Sequence, residues 1–210
     1  MADVRPIVYV VDDDASVRDA ISNLLESVGL RAKVFASTEA FWKAPRADAP
    51  SCLVLDVRLP GASGLEFQET LIKSSMLIPV IFITAHGDVP MTSRAMKAGA
   101  IEFLMKPFQK DELLAAVRHG LERDRIRRVE EAEISVLQSR VEQLTQRERE
   151  VMDLVVTGLI NKEIGAQLGL SEVTVKIHRS RVMQKMEAAS LAELVRMADK
   201  LKPRSQAAQR

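Results

Sequence analysis

The sequence predicts a chain of two unlike parts, α/β followed by all-α. The first is a doubly wound, five-stranded parallel (βα)5 sheet; a helical linker then leads to a four-helix domain that contains a helix-turn-helix. Three observations carry this. Five short runs of β-favouring apolar residues occur before Lys106, separated by helix-length segments. From Gly120 to about Gln143 strand signals stop, charges dominate, and neither Gly nor Pro interrupts. Beyond Gln143 come four short helix patterns with recognisable start and stop residues.

The strands are Ile7–Val11, Val34-Phe35, Cys52–Leu55, Val80–Ile83 and Ile101–Met105. Runs this apolar suit strands buried on both faces of a parallel sheet. Ala15–Val28 reads as the first helix, with Gly29 at its C-terminal stop; 37–44, 64–75, 90–98 and 111–119 read as the others. Pro60-Gly61, Ser63-Gly64, Gly87-Asp88 and Gly99 supply the turns. In the linker, Ile134, Leu137, Val141 and Leu144 follow a 3-4-3 spacing, which fits either a solvated connecting helix or the seam of a short coiled coil; Ile126 and Val129 fall out of phase. Thr145-Gln146-Arg147-Glu148 has capping-box spacing and opens a helix that runs to about Thr157. A second helix covers Asn161–Leu168, a third runs from the N-cap Ser171 to Met186, and a fourth spans Ser190–Leu201 before Pro203.

A chain of 210 residues suffices for two modest domains, divided here as 1–120, 121–142 and 143–205. No run approaches the ~20 apolar residues of a membrane span, and no secretory pattern opens the chain, so a cytoplasmic protein with no membrane partner is expected. The single cysteine, Cys52, lies in a strand and reads as a core residue. Residues 1–120 hold 13 Lys and Arg against 15 Asp and Glu, whereas residues 143–210 hold 12 against 8. The basic last third is compatible with a nucleic-acid partner.

Polar residues sit where the strands end. Asp12 and Asp13 follow the first strand, Asp56 the third, Thr84 the fourth, and Lys106-Pro107 the fifth. The carboxyl ends of parallel strands form the ligand crevice, so three carboxylates, one hydroxyl and one ammonium converge there. A carboxylate attacking a phosphoryl group meets like charge, and a divalent cation on oxygen ligands removes that repulsion. Asp56 is the nucleophile of this reading; Thr84 donates a hydrogen bond to the phosphoryl group and Lys106 supplies a fixed positive charge. Loop capping is the plainer role for Asp12, Asp13 and Asp14 taken alone.

Val-Asp-Asp, Asp56, Thr84-Ala85 and Lys106-Pro107 stand in the order and approximate spacing of a two-component receiver domain, which residues 1–120 resemble. The resemblance implies that Asp56 takes phosphate from a sensor histidine kinase. It also implies Mg²⁺ held by Asp13, Asp56, the Arg58 backbone carbonyl and, through water, Asp12, and a cis Lys106-Pro107 peptide. Phe103 occupies the family's aromatic switch position, and core packing is its plainer role. Arg58 and His86 stand where the family tunes phosphate lifetime. The Arg58 side chain either shields the acyl phosphate or is simply solvated; His86 is given no role.

On the third helix of the last part, Val175, Val182 and Met186 form a core stripe, while Val173, Lys176, Ile177 and Ser180 share the opposite face. Two β-branched apolar residues facing outward suit thymine methyls in a major groove, with Lys176 reaching a base edge or phosphate. Arg179, Arg181 and Lys185 flank this face as backbone contacts. A protein-binding surface is the alternative. Leu144–Leu201 resembles the LuxR-type helix-turn-helix of the FixJ/NarL class. The residues that carry this are Leu144–Glu148, Asn161–Gly165 and Leu170–His178, joined by Ile83–Met91 for the FixJ branch. The resemblance implies double-stranded DNA as partner, contacted by Lys162, Val173, Thr174, Lys176, Ile177, Arg179, Ser180 and Arg181. It implies a palindromic promoter site read by a homodimer formed on phosphorylation, with Leu191, Leu194, Val195 and Ala198 as a dimer stripe, packing within the domain being the plainer role for some of these four; RNA polymerase is a further candidate partner. The chain is therefore expected to be a phosphorylation-activated transcription factor and not an enzyme. The rival reading is a phosphate-accepting protein whose second domain binds another protein.

Overall fold

The structure, a computed structural model, describes residues 5–202. Pro203 and the end of the 143–205 segment lie outside the described residues. The chain forms two compact units that divide between Arg128 and Val129, within the segment read as the linker.

The first unit runs β1 (Ile7–Val11), α1 (Ala15–Ser27), β2 (Arg31–Phe35), α2 (Thr38–Lys43), β3 (Ser51–Asp56), a ribbon of β4 (Arg58–Leu59) and β5 (Ala62–Ser63), α3 (Gly64–Lys73), β6 (Val80–Thr84), α4 (Val89–Lys97), β7 (Glu102–Met105) and α5 (Lys110–Glu142). The sheet is parallel, in the order β2-β1-β3-β6-β7. Alternate strand residues go to opposite faces. Val8, Val10, Cys52, Val54, Ile81 and Ile83 pack with Leu25 of α1 and Leu113 and Val117 of α5. Tyr9, Val11, Leu53, Leu55 and Phe82 pack with Phe41, Leu71 and Ala95 of α2, α3 and α4. Burial on both faces is why these strands read as continuous apolar runs. β2 begins at Arg31, ahead of Val34-Phe35; it is an edge strand, and its charged residues Arg31 and Lys33 hide its first half from an apolar search.

The fifth helix does not end near residue 119. It continues unbroken from Lys110 to Glu142, passing through Gly120. Gly120 is a point of close approach, since a Cβ there would lie 3.0 Å from the Cβ of Cys52 in β3. One turn further on, Asp124 is buried and accepts the Ser51 N–H at 2.9 Å together with Arg127 and Arg128. The stretch up to Arg128 is thereby fastened to the start of β3, the strand that ends in Asp56.

The second unit contains the rest of α5 and α6 (Gln146–Val155), α7 (Asn161–Leu168), α8 (Glu172–Met186) and α9 (Leu191–Leu201). Thr145, Ser171 and Ser190 each accept a backbone N–H of the turn they cap, and Thr145 with Glu148 completes the capping box. Leu144, Val151, Ile164, Val175, Val182, Met186 and Leu194 make the core. Val141 and Leu144, half of the expected coiled-coil seam, pack within this unit, and Leu137 is buried as well. Likewise Leu194 of the expected dimer stripe belongs to the core and Ala198 packs against it, which leaves Leu191 exposed and Val195 half-buried. The turn between α7 and α8 needs two glycines. Gly169 has φ +67°, and a Cβ on Gly165 would sit 2.7 Å from the Leu170 carbonyl oxygen. Among the described residues no helix is long and apolar enough to cross a membrane.

Candidate phosphoacceptor pocket and DNA-binding face

Parallel register brings the polar strand ends together. Val11 lies opposite Leu55, Asp56 opposite Ile83, and Thr84 opposite Met105, so Asp12, Asp56, Thr84 and Lys106 stand on four adjacent strands at one edge. Asp12, Asp56 and Thr84 are buried and Asp13 is exposed. Lys106 Nζ donates to Asp12 Oδ2 at 2.5 Å and to Asp56 Oδ2 at 2.6 Å. Burial opposes the Lys106 charge, but these hydrogen bonds outweigh it and hold the ammonium above the ordinary lysine pKa. Burial raises the Asp12 carboxyl, and the Lys106 bond only partly offsets that.

Each carboxylate is aimed by its own loop. Asp56 Oδ1 accepts the Arg58 N–H and Asp12 Oδ1 accepts the Asp14 N–H, both at 2.9 Å. One carboxylate oxygen each from Asp12, Asp13 and Asp56 lie within 4.8 Å of one another. Such a set of hard oxygen donors, with more negative charge than Lys106 offsets, fits a magnesium-type cation. Thr84 Oγ1 accepts the His86 N–H at 3.3 Å. Phe103 is half-buried, 6.2 Å from the Phe82 ring. The Arg58 side chain is exposed, and the Lys106-Pro107 peptide is cis.

Several contributors were not singled out by sequence. Arg18 Nη1 donates to the backbone carbonyls of Asp12 and Asp13 at 2.8 and 2.9 Å and braces the loop that holds both acids. Asp14 caps α1 through Ser16, so the plain capping role applies to Asp14. Gly64 is a spatial requirement: a Cβ there would lie 2.3 Å from the Asp56 carbonyl oxygen. Gly87 lets its loop rest on β7, since a Cβ would lie 2.8 Å from the Phe103 ring. Ser63-Gly64 and Gly87-Asp88 register in the sequence only as turns.

On α8, Val175, Val182 and Met186 are buried as the periodicity requires. Val173 is 69% exposed and Ile177 49%, and Lys176, Ser180 and Arg181 are also exposed, as is Lys162 on α7. Thr174 helps close the cap, its Oγ1 lying 2.8 Å from Ser171 Oγ. Arg179 donates to Asn161 Oδ1 at 2.9 Å. Lys185 departs from the expectation of a backbone-contacting flank. Its ammonium turns inward to buried Glu148 at 2.6 Å and to the Gln143 carbonyl at 3.1 Å, because a buried carboxylate requires a partner.

Residues 8–118 match the model of the response regulator receiver domain, and residues 142–198 that of the luxR family of bacterial regulatory proteins. Nodulation protein W of Bradyrhizobium diazoefficiens is 52% identical over 200 residues, covering 95% of this chain and 88% of that protein. Transcriptional regulatory protein FixJ of Azorhizobium caulinodans is 46% identical, covering 91% and 90%. A solved structure of the response regulator StyR is similar with TM-score 0.82 at 49% identity, covering 93% of this chain and 99% of that one. Receiver domains bind Mg²⁺ at such an acidic pocket and answer to histidine kinases, and the second domain binds DNA. The chain belongs to the FixJ/NarL class of response regulators, phosphorylation-dependent transcription regulators that join a receiver to a LuxR-type DNA-binding domain.

Proposed function

We propose that Asp56 accepts a phosphoryl group from a sensor histidine kinase, and that the modified receiver dimerises and brings two DNA-binding units onto a palindromic promoter site. The convergence of Lys106 on Asp12 and Asp56 is the observation that carries this reading. An Asp56 oxygen attacks the phosphorus of a phosphohistidine. The P–N bond breaks, its electron pair stays with the imidazole, and an acyl phosphate forms. Lys106 offers charge to the arriving oxygens and Thr84 a hydroxyl donor. Asp13, Asp56 and the Arg58 backbone carbonyl, with Asp12 acting through water, would hold Mg²⁺, which would neutralise charge between the two anions. As Thr84 turns toward the phosphoryl group, Phe103 moves with it, and the Arg58 side chain shields the acyl phosphate from water.

On DNA, Val173 and Ile177 meet thymine methyls, Lys176, Thr174 and Ser180 reach base edges or phosphates, and Lys162, Arg179 and Arg181 hold the backbone. RNA polymerase contact and a cytoplasmic setting complete the proposal. Intact-mass measurement of the full chain with phosphoramidate and Mg²⁺ tests its first step. One added phosphoryl group is expected on the wild type and none on Asp56→Asn; an equal gain by Asp56→Asn would place the acceptor elsewhere.

A further inference from the structure

Arg179 lies on the flank of α8, between the buried stripe and the exposed face, and its side chain reaches back to α7. Its Nη1 donates to Oδ1 of Asn161, the first residue of that helix, at 2.9 Å. The bond therefore ties together the two helices of the helix-turn-helix. The chemistry of the partner is the informative part. In this unit Lys185 meets Glu148, Arg140 meets Glu187, Lys200 meets Glu133 and Arg147 meets Glu150. Each of those carboxylates cancels the charge it holds. Arg179 meets a neutral amide, which fixes the guanidinium and leaves its charge whole.

A guanidinium carries five N–H donors in a planar fork that matches a phosphate. With one donor held by Asn161, the fork is oriented before any ligand arrives. A long side chain that is already oriented loses less rotamer freedom on binding than a free one. An aspartate at 161 would hold the same atom and remove the charge; an alanine would leave the charge and release the atom.

We propose that Asn161 is a positioning residue that pre-sets Arg179 for a backbone phosphate of DNA without neutralising it. This rests on the DNA-binding reading of α8. The partner is recognised by phosphate chemistry and not by base sequence, so a short duplex of arbitrary sequence is a sufficient probe.

The test is fluorescence anisotropy of the full-length protein on such a labelled duplex across a salt series, with thermal unfolding of every variant. Arg179→Ala is expected to weaken binding about tenfold or more and to lower the slope of log affinity against log salt by about one. Asn161→Ala is expected to weaken binding roughly two- to tenfold with the slope unchanged, because the charge remains. Asn161→Asp should lower the slope as Arg179→Ala does, and Arg179→Lys should keep it. The double variant Asn161→Ala with Arg179→Ala should bind no worse than Arg179→Ala alone. A slope unmoved by Arg179→Ala would make this bond only a staple between helices and overturn the proposal. So would an Asn161→Ala effect of the same size in the Arg179→Ala background. Wild-type protein that shows no salt-dependent binding would instead remove the DNA reading itself, and this proposal with it.

Discussion

Lys106 in the first unit lies 2.5 Å from Asp12 and 2.6 Å from Asp56, and Lys185 in the second lies 2.6 Å from Glu148. Both are lysines meeting buried carboxylates, yet their settings differ. Glu148 Oε2 accepts both the Lys185 ammonium and the Thr145 N–H, the latter at 2.9 Å within a capping box, and the Glu148 pKa is held down to about 2 chiefly by the Lys185 hydrogen bond. The first cluster sets three carboxylates against one ammonium. Its negative charge is in excess and its oxygens converge at a strand edge. A satisfied pair holds a fold together, whereas an unbalanced one is ready for a cation and a phosphoryl group.

Four substitutions sharpen that contrast. Gly64→Ala should have the largest effect, because the new Cβ would press on the Asp56 carbonyl at 2.3 Å with only backbone to yield. A loss of several kcal/mol, about 3, and of phosphoryl acceptance is expected, measured by urea unfolding and intact mass. Glu148→Ala removes the side-chain half of the capping box and leaves Lys185 without its carboxylate; a cost of about 2 kcal/mol is expected, with phosphoryl acceptance unchanged. Asp124→Ala removes the carboxylate that accepts the buried Ser51 N–H and bonds Arg127 and Arg128. It should cost about 1–2 kcal/mol, with faster hydrogen exchange in 120–128. Val173→Ala should change stability by under about 0.5 kcal/mol while reducing preference for one DNA sequence over another.

The same contrast has a pH signature. The Glu148 carboxyl lies below its ordinary value of 4.5, so its contribution to folding is complete above that pH and is lost as pH falls from 4.5 toward about 2. Acid unfolding of Glu148→Gln should lack this component, and an identical profile would contradict the assignment.

The pocket was legible because four of the five apolar runs ended in a polar residue, and parallel sheets bring such ends to one edge. Asp56, Thr84 and Lys106 needed no more than that. Gly64, Arg18 and Asp124 needed knowledge of what approaches them. A glycine in a turn looks the same whether it bends the chain or admits a carbonyl. A buried aspartate among exposed charges, as at 124, leaves no mark on periodicity. In the second unit, the 3.6-residue repeat separated buried Val175, Val182 and Met186 from exposed Val173 and Ile177. It could not foretell that Lys185 turns inward, because its partner Glu148 is 37 residues away.

Sedimentation equilibrium of the full chain with Mg²⁺, with and without beryllofluoride as a mimic of the acyl phosphate, tests most directly whether filling the unbalanced cluster drives the switch. A doubled mass with beryllofluoride, lost in Asp56→Asn and retained in Glu148→Gln, is the predicted result. A wild-type mass that does not change, or a doubling that survives Asp56→Asn, would contradict it.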